Sequence, residues 1–110
     1  MAIDVFSQTS TTLTSGAALQ LGADITTPGV YQLMLDLTNM ASGDSLTVTI
    51  YGSVIGGGAF RLMDSTTFIG AQSIPVAALP IVFPFEGQVF IQQTAGTLRE
   101  YDWSITRLDA

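Results

Sequence analysis

The sequence predicts an all-β protein, a β-sandwich or jelly roll of about seven to eight antiparallel strands. Several segments alternate apolar and polar side chains with a period of two, which is typical of strands with one buried face. Clusters of Gly, Pro, Asn, Asp and Ser separate these segments and indicate turns. No segment carries the sustained apolar stripe of a helix, so two packed sheets are the expected architecture.

Residues 1–28 are the least patterned part of the chain. A polar run from Ser7 to Thr12 precedes a weakly apolar segment, Ala17 to Leu21, that ends at a glycine. Both an extended arm and a pair of irregular edge strands fit this composition. The chain is therefore divided into residues 1–28, an N-terminal arm or irregular edge strands, and residues 29–110, the β-sandwich domain.

Two clear strands follow the turn signal at Thr27-Pro28-Gly29. Residues 30–37 place four side chains on one face, Tyr31, Leu33, Leu35 and Leu37. Residues 45–51 alternate most cleanly, with Leu46, Val48 and Ile50 on one face. The loop at residues 39–44 is predicted to join the two strands as a hairpin.

Glycines interrupt the pattern after this strand. Gly52 and residues 56–58 flank Val54-Ile55 and predict a flexible hairpin tip or a bulge, because the lysine and helix of a phosphate-binding loop are missing. Residues 60–68 predict a further strand with Phe60 and Leu62 inward and a break near Asp64.

Residues 74–85 combine three prolines with many apolar side chains and no charge. Proline removes backbone donors, so this stretch cannot be a central strand throughout. Two alternatives fit: an edge strand tucked under the sandwich, or an exposed contact surface for a neighbouring subunit.

Residues 86–108 form two alternating runs around Ala95-Gly96 and predict a second hairpin. A three-residue loop with Gly96 in the left-handed conformation of a G1 bulge would set Val89 opposite Tyr101. One buried face then collects Val89, Ile91, Tyr101, Trp103 and Ile105. Tyr101 and Trp103 are expected to be core anchors.

The composition indicates one domain with an apolar surface. The 110 residues suffice for a single core, and only 11% are charged, against roughly 25% in an ordinary soluble domain. No apolar run reaches the ~20 residues that cross a bilayer, and the start, Met1 to Asp4, lacks the basic character of a signal peptide. The excess apolar surface is therefore expected to meet protein, as a homo-oligomer or a larger assembly, and no membrane.

The charged residues, together with the missing cysteine and histidine, exclude several classes of function. Lysine is absent, and three arginines oppose nine carboxylates for a formal net charge of −6, so nucleic acid is not an expected partner. Cysteine and histidine are absent too, which removes disulfides, thiolate nucleophiles, imidazole bases and the usual zinc ligands. No metal or cofactor is expected.

Carboxylates are the main remaining candidates for catalysis. A glycosidase needs two of them close together, and the chain offers Asp36, Asp44, Glu86, Glu100 and Asp102. Asp44 and Glu86 adjoin turn glycines, where they bond local backbone, and Glu100 and Asp102 alternate with the apolar face. We therefore expect no enzyme and no catalytic residue. Arg99 and Arg107 are expected to form ion pairs with Glu100, Asp102 and Asp109.

The order of several short blocks resembles a small all-β protein from the structural gene clusters of tailed bacteriophages. The blocks are Gly29–Leu33 with Asp36-Leu37, Ala41–Asp44 before a strand, and Gln92–Thr97 leading to Asp102–Ile105. The resemblance covers about residues 29–108 and brings no catalytic motif. It implies a virion component of the capsid cement or decoration type, which sits as trimers on the shell and fastens neighbouring capsomers.

The resemblance therefore implies a homotrimer that contacts the major capsid protein on the capsid surface of the virion. Burying surface needs apolar patches and no chemistry. We expect the contacts in two segments: Ile74, Pro75, Val76, Leu79, Pro80, Ile81, Phe83 and Phe85, and the N-terminal Ile3, Val5 and Phe6. The alternative is a phage tail or fibre module that binds host-surface glycan, with Tyr51 or Trp103 as the stacking platform.

Overall fold

The computed structural model describes residues 3–109 and contains eight strands in two four-stranded antiparallel sheets. Sheet A has the order β1-β8-β3-β6 and sheet B the order β2-β7-β4-β5. The all-β sandwich is confirmed, and no helix long enough to span a membrane lies among these residues. The strands are β1 (Asp4–Thr12), β2 (Leu19–Gln20), β3 (Gly29–Asp36), β4 (Ser45–Gly52), β5 (Arg61–Ile69), β6 (Val76–Phe83), β7 (Gly87–Ala95) and β8 (Glu100–Arg107).

The chain crosses from one sheet to the other at every connection except that between β4 and β5. Each sheet therefore consists of strands that are distant in sequence, and long-range antiparallel pairs such as β1 with β8 and β4 with β7 hold it together. Eight strands interleaved in this way over two sheets form a jelly roll.

Both hairpins predicted from the sequence are wrong. The strands on either side of residues 37–44 lie in different sheets, and so do β7 and β8. The reason is that two alternating runs around a turn bury the same residues whether they pair side by side or face each other across a core. Gly96 nevertheless has the expected positive φ, 84°, because the turn between the sheets also reverses the chain sharply.

The core lies between the sheets and contains the side chains that the alternation predicted to point inward. Leu33, Leu35, Leu46, Ile91 and Ile105 are fully buried. Trp103 and Tyr101 are buried as well, in the sheet opposite β7, and the Tyr101 hydroxyl donates to Gln93 Oε1 of that strand at 2.7 Å. In β3, β4, β7 and β8, period-two alternation therefore predicted burial correctly, although it misassigned the strand pairing.

Strand β5 corrects the prediction for residues 60–68. The strand runs through Asp64 without a break, but Leu62 is 61% exposed and Phe68 packs against the core instead. Ile50 pairs with Asp64 while Tyr51 pairs with Leu62, so Met63 is an extra residue in a β-bulge. The bulge reverses the side on which the preceding residues point, which puts Leu62 on the outer face.

The two ambiguous segments are both edge strands. Strands β1 and β2 lie at one edge of sheets A and B, so the described part of residues 1–28 belongs to the sandwich and does not extend from it as an arm. Strand β6 pairs only with β3 and forms the other edge of sheet A. Met1 and Ala2 lie outside the described residues.

Candidate contact surfaces

The outer face of sheet A brings together the two segments that the sequence analysis selected for protein contacts. Val5 pairs with Thr106, Thr106 with Gln32, and Gln32 with Pro80, so one row crosses all four strands. Three strand spacings, about 14 Å, separate the ends of this row. In this row an apolar N-terminal edge and an apolar β6 edge flank the uncharged Thr106 and Gln32, whereas Asp36 and Asp102 lie on the same face toward its other end.

The β6 edge exposes every second residue. Val76 is 47% and Val82 61% exposed, and Ala78 and Pro80 between them are also exposed. Ile74, in the connection before β6, is 76% exposed, and Pro75 beside it is exposed too. We call the set of Ile74, Pro75, Val76, Ala78, Pro80 and Val82 the β6 surface.

Four residues of the expected contact set are buried or half-buried. Ile81 and Phe83 are buried in the core, so their side chains cannot contribute to a surface and this part of the prediction is wrong. Leu79 is half-buried against the same core, and Phe85 is half-buried just after the strand. The side chains of β6 alternate between the core and solvent, and the expected contact set took residues from both sides of the strand.

The N-terminal edge exposes all three expected residues. Ile3 is 73% and Val5 52% exposed, while Phe6 lies in a bulge of β1 and retains 37% exposure. The Phe6 ring contacts Tyr31 edge to face, with centroids 6.2 Å apart. Phe6 therefore covers one end of the core and remains partly open to solvent.

The sequence analysis did not select a third apolar feature, the tip of the β4–β5 hairpin. Val54 and Ile55 are 79% and 63% exposed. Glu86 fastens this tip, because its carboxylate accepts from the Gly57 amide at 2.9 Å and its carbonyl accepts from the Ser53 amide at 3.1 Å. The sequence feature that could have indicated this tip is the pair of β-branched residues, Val54 and Ile55, between glycines.

Other carboxylates considered for catalysis are engaged in local hydrogen bonds. Asp36 accepts from the Thr38 amide at 2.9 Å, Glu100 accepts from the Thr12 hydroxyl at 3.2 Å, and Asp102 accepts from the Ser10 hydroxyl. Within residues 3–109 no three Asp or Glu side chains gather in a group suited to a metal ion. These hydrogen bonds give Asp36, Glu100 and Asp102 structural roles in a turn and on the surface.

Asp44 has a larger structural role than its turn position indicated. Its buried carboxylate accepts from the Ala41 amide (2.9 Å), the Thr97 amide (3.0 Å) and Arg99 Nε (2.8 Å). Its carbonyl accepts from the Gly70 amide (2.8 Å). The Arg99 guanidinium, together with the Ala41 amide, lowers the pKa of this carboxyl. Asp44 therefore joins three connections between the sheets.

The arginines confirm one expected ion pair and correct another. Arg107 Nε lies 2.9 Å from Asp109, as expected. Arg99 pairs with Asp44 and not with its sequence neighbours Glu100 or Asp102. The partner is 55 positions away and reaches Arg99 only because β4 and β7 are adjacent in sheet B.

The two aromatic residues considered as stacking platforms, Trp103 and Tyr51, differ in their exposure. Trp103 is 6% exposed and its indole N–H donates to Thr11 Oγ1 at 2.9 Å, so its ring is a core anchor and cannot stack on a ligand. Tyr51 is half-buried on the outer face of sheet B, where it meets Phe90 edge to face with centroids 5.5 Å apart. Only Tyr51 remains accessible.

Comparisons of the chain with protein-family models, with curated proteins and with solved structures give no match.

Proposed function

We propose that this chain is a non-enzymatic structural protein of a phage virion that associates with itself, as a trimer, and docks on the major capsid protein as a cement or decoration protein. The observation that carries the proposal is the outer face of sheet A, which has exposed apolar side chains at both edges and no charged residue in the row between Val5 and Pro80. The resemblance of residues 29–108 to phage structural proteins supports the choice of a capsid partner.

The two edges suit a protein that bridges neighbours. The β6 surface and the N-terminal edge are about 14 Å apart on one rigid sheet, so two different subunits can each cover one edge. Large exposed apolar groups that are clustered on a surface mark protein contacts more often than isolated ones do. The row from Val5 to Pro80 carries no charged side chain, so a contact centred on this row avoids the cost of desolvating a charge.

The size of the face indicates how much of it takes part. A standard interface buries about 800 Å² per partner. Strands of eight residues spaced about 4.8 Å apart give the outer face of sheet A a projected area of about 500 Å². The face by itself is therefore smaller than one standard interface, so a stable contact at either edge must also include flanking residues, such as Ile74 beside the β6 edge.

The substitution Val82→Asp tests this function. A carboxylate within an apolar contact must be desolvated without a partner, so we expect association to weaken by at least about tenfold. Sedimentation velocity reports self-association, and co-sedimentation with expanded phage capsids reports docking. Both should decline, while the midpoint of thermal unfolding changes little because the side chain is 61% exposed.

Leu62→Asp is the matched control, since Leu62 is also 61% exposed but lies on the outer face of sheet B. This variant should associate and dock as the unmodified protein does. A monomer that binds no capsid would contradict the proposal, and so would equal losses in the two variants.

A further inference from the structure

A shallow cavity of about 200 Å³ lies on the outer face of sheet B, opposite the face used for docking. Strands β4 and β7 and the connection before β2 line it. The lining residues are Ala18, Thr49, Tyr51, Gln88, Phe90 and Gln92. None of them is charged, and they combine two aromatic rings with amide and hydroxyl groups.

The sheet register explains why these side chains converge. Gln88 pairs with Tyr51 and Phe90 pairs with Thr49, so the two aromatic residues are diagonal neighbours on one face. Their rings meet at an angle of 86°, which holds each against rotation by the other. The aromatic pair is therefore positioned before any ligand arrives.

The glutamines are held in one orientation. Gln88 Nε2 donates to Asp24 Oδ1 (3.0 Å), and Gln92 Nε2 donates to the Gly16 carbonyl (2.8 Å). A carboxylate and a carbonyl are acceptors only, so the NH₂ end of each amide must point at them. Each amide oxygen consequently points away from its anchor and is oriented to accept a hydrogen bond.

We propose that this cavity binds one neutral sugar ring. A pyranose offers C–H groups that pack against aromatic rings and hydroxyls that donate to amide oxygens, which are the two features that Tyr51 with Phe90 and Gln88 with Gln92 supply. The cavity is smaller than the 300 to 1,000 Å³ typical of drug-sized ligands, so a single ring fits it better than a large ligand does.

Charge favours a neutral ring over an acidic one. The lining contains no arginine, and the chain carries a net charge of −6. The base of a nucleotide can stack on aromatic residues too, but the negative charge of this protein would repel the phosphate of the nucleotide. Because the site and the docking face belong to different sheets, a docked protein would keep this cavity open.

Amide NMR shifts during titration with methyl glycosides test the site directly. The probes are the methyl glycosides of glucose, galactose, mannose and N-acetylglucosamine, with a methyl sialoside as the acidic comparison. At least one neutral glycoside should shift the amides of Thr49, Tyr51, Gln88, Phe90 and Gln92 in the millimolar range, and the sialoside should not.

Substitutions then separate stacking from hydrogen bonding. Tyr51→Ala should weaken binding at least about tenfold, whereas Tyr51→Phe, which retains the ring, should retain most of the affinity. Gln92→Ala should weaken binding as well, and Gln32→Ala on the outer face of sheet A should leave it unchanged. If Tyr51→Ala does not fold, the affinity of Gln92→Ala for the glycoside is the test of the site.

The proposal is overturned if no neutral glycoside shifts these amides, or if only the sialoside does. It is equally overturned if the folded Tyr51→Ala and Gln92→Ala proteins bind as the unmodified chain does. Capsid docking is measured separately with Val82→Asp, so failure of the sugar site and failure of the docking face are distinguishable.

Discussion

Replacement of Asp44 by alanine is expected to lower the midpoint of thermal unfolding by about 10 °C or more. The change leaves the Arg99 guanidinium without its partner and removes the acceptor of the Ala41 and Thr97 amides. Loss of a buried charged acceptor is costly for the donors that it satisfies, and here these donors lie in two connections between the sheets. A thermal melt followed by far-UV circular dichroism measures the loss.

Asp36→Ala is the control for this prediction. Asp36 also accepts a backbone hydrogen bond, from Thr38, but it acts within one turn and has no arginine partner. A loss no greater than that of Asp36→Ala would show that Asp44 is an ordinary turn residue.

Acid should remove the same contribution. The folded-state pKa of Asp44 lies below its ordinary value of 3.8, so the folded protein binds this proton less readily than the unfolded chain. The stability that depends on this carboxylate is therefore fully present above the unfolded pKa and is lost as the pH falls through the folded one. Asp44→Asn should differ from the unmodified protein at neutral pH, and the difference should shrink at low pH. Urea unfolding at a series of pH values reports it.

Replacement of Gly87 by alanine is expected to destabilise the protein by about 1 to 3 kcal/mol, an effect of overpacking. A Cβ at this position would lie 2.5 Å from Cζ of the Phe83 ring and closer to two other ring atoms. Phe83 is fully buried against Tyr31, with ring centroids 5.9 Å apart, so the ring has little room to move. Chemical denaturation measures the change.

Gly56→Ala is the matched glycine control. Its Cβ would come no closer than 3.7 Å to another atom, and its φ is not positive, so the change should be within about 1 kcal/mol of neutral. Equal effects at the two positions would contradict the packing explanation. A large loss at Gly87 alone would indicate that the contact with Phe83 requires a glycine there.

Period-two alternation of apolar side chains predicts some of the exposed surfaces and not others. The exposure of Val76 and Val82 follows from the same period-two pattern that buries Ile81 and Phe83. Alternation applied to residues 74–85 therefore distinguishes the exposed side chains from the buried ones. The outward position of Leu62 depends on the bulge at Met63, beside Asp64, where the sequence indicated a break and not an added residue.

The pairing of distant residues was beyond sequence reasoning. Arg99 finds Asp44 because two strands that are far apart in the chain become neighbours in sheet B. The Tyr51 and Phe90 rings meet for the same reason. No local pattern encodes such contacts, because they depend on which strand lies beside which.

The sequence by itself determined the all-β class, the inward faces of β3, β4, β7 and β8, and the need for a left-handed glycine at Gly96. These follow from local rules, since side chains alternate along a strand and only glycine tolerates that backbone without strain. The tertiary structure alone decided that these strands face each other across a core. It thereby brought the N-terminal and β6 segments onto the outer face of sheet A and the aromatic pair onto the outer face of sheet B.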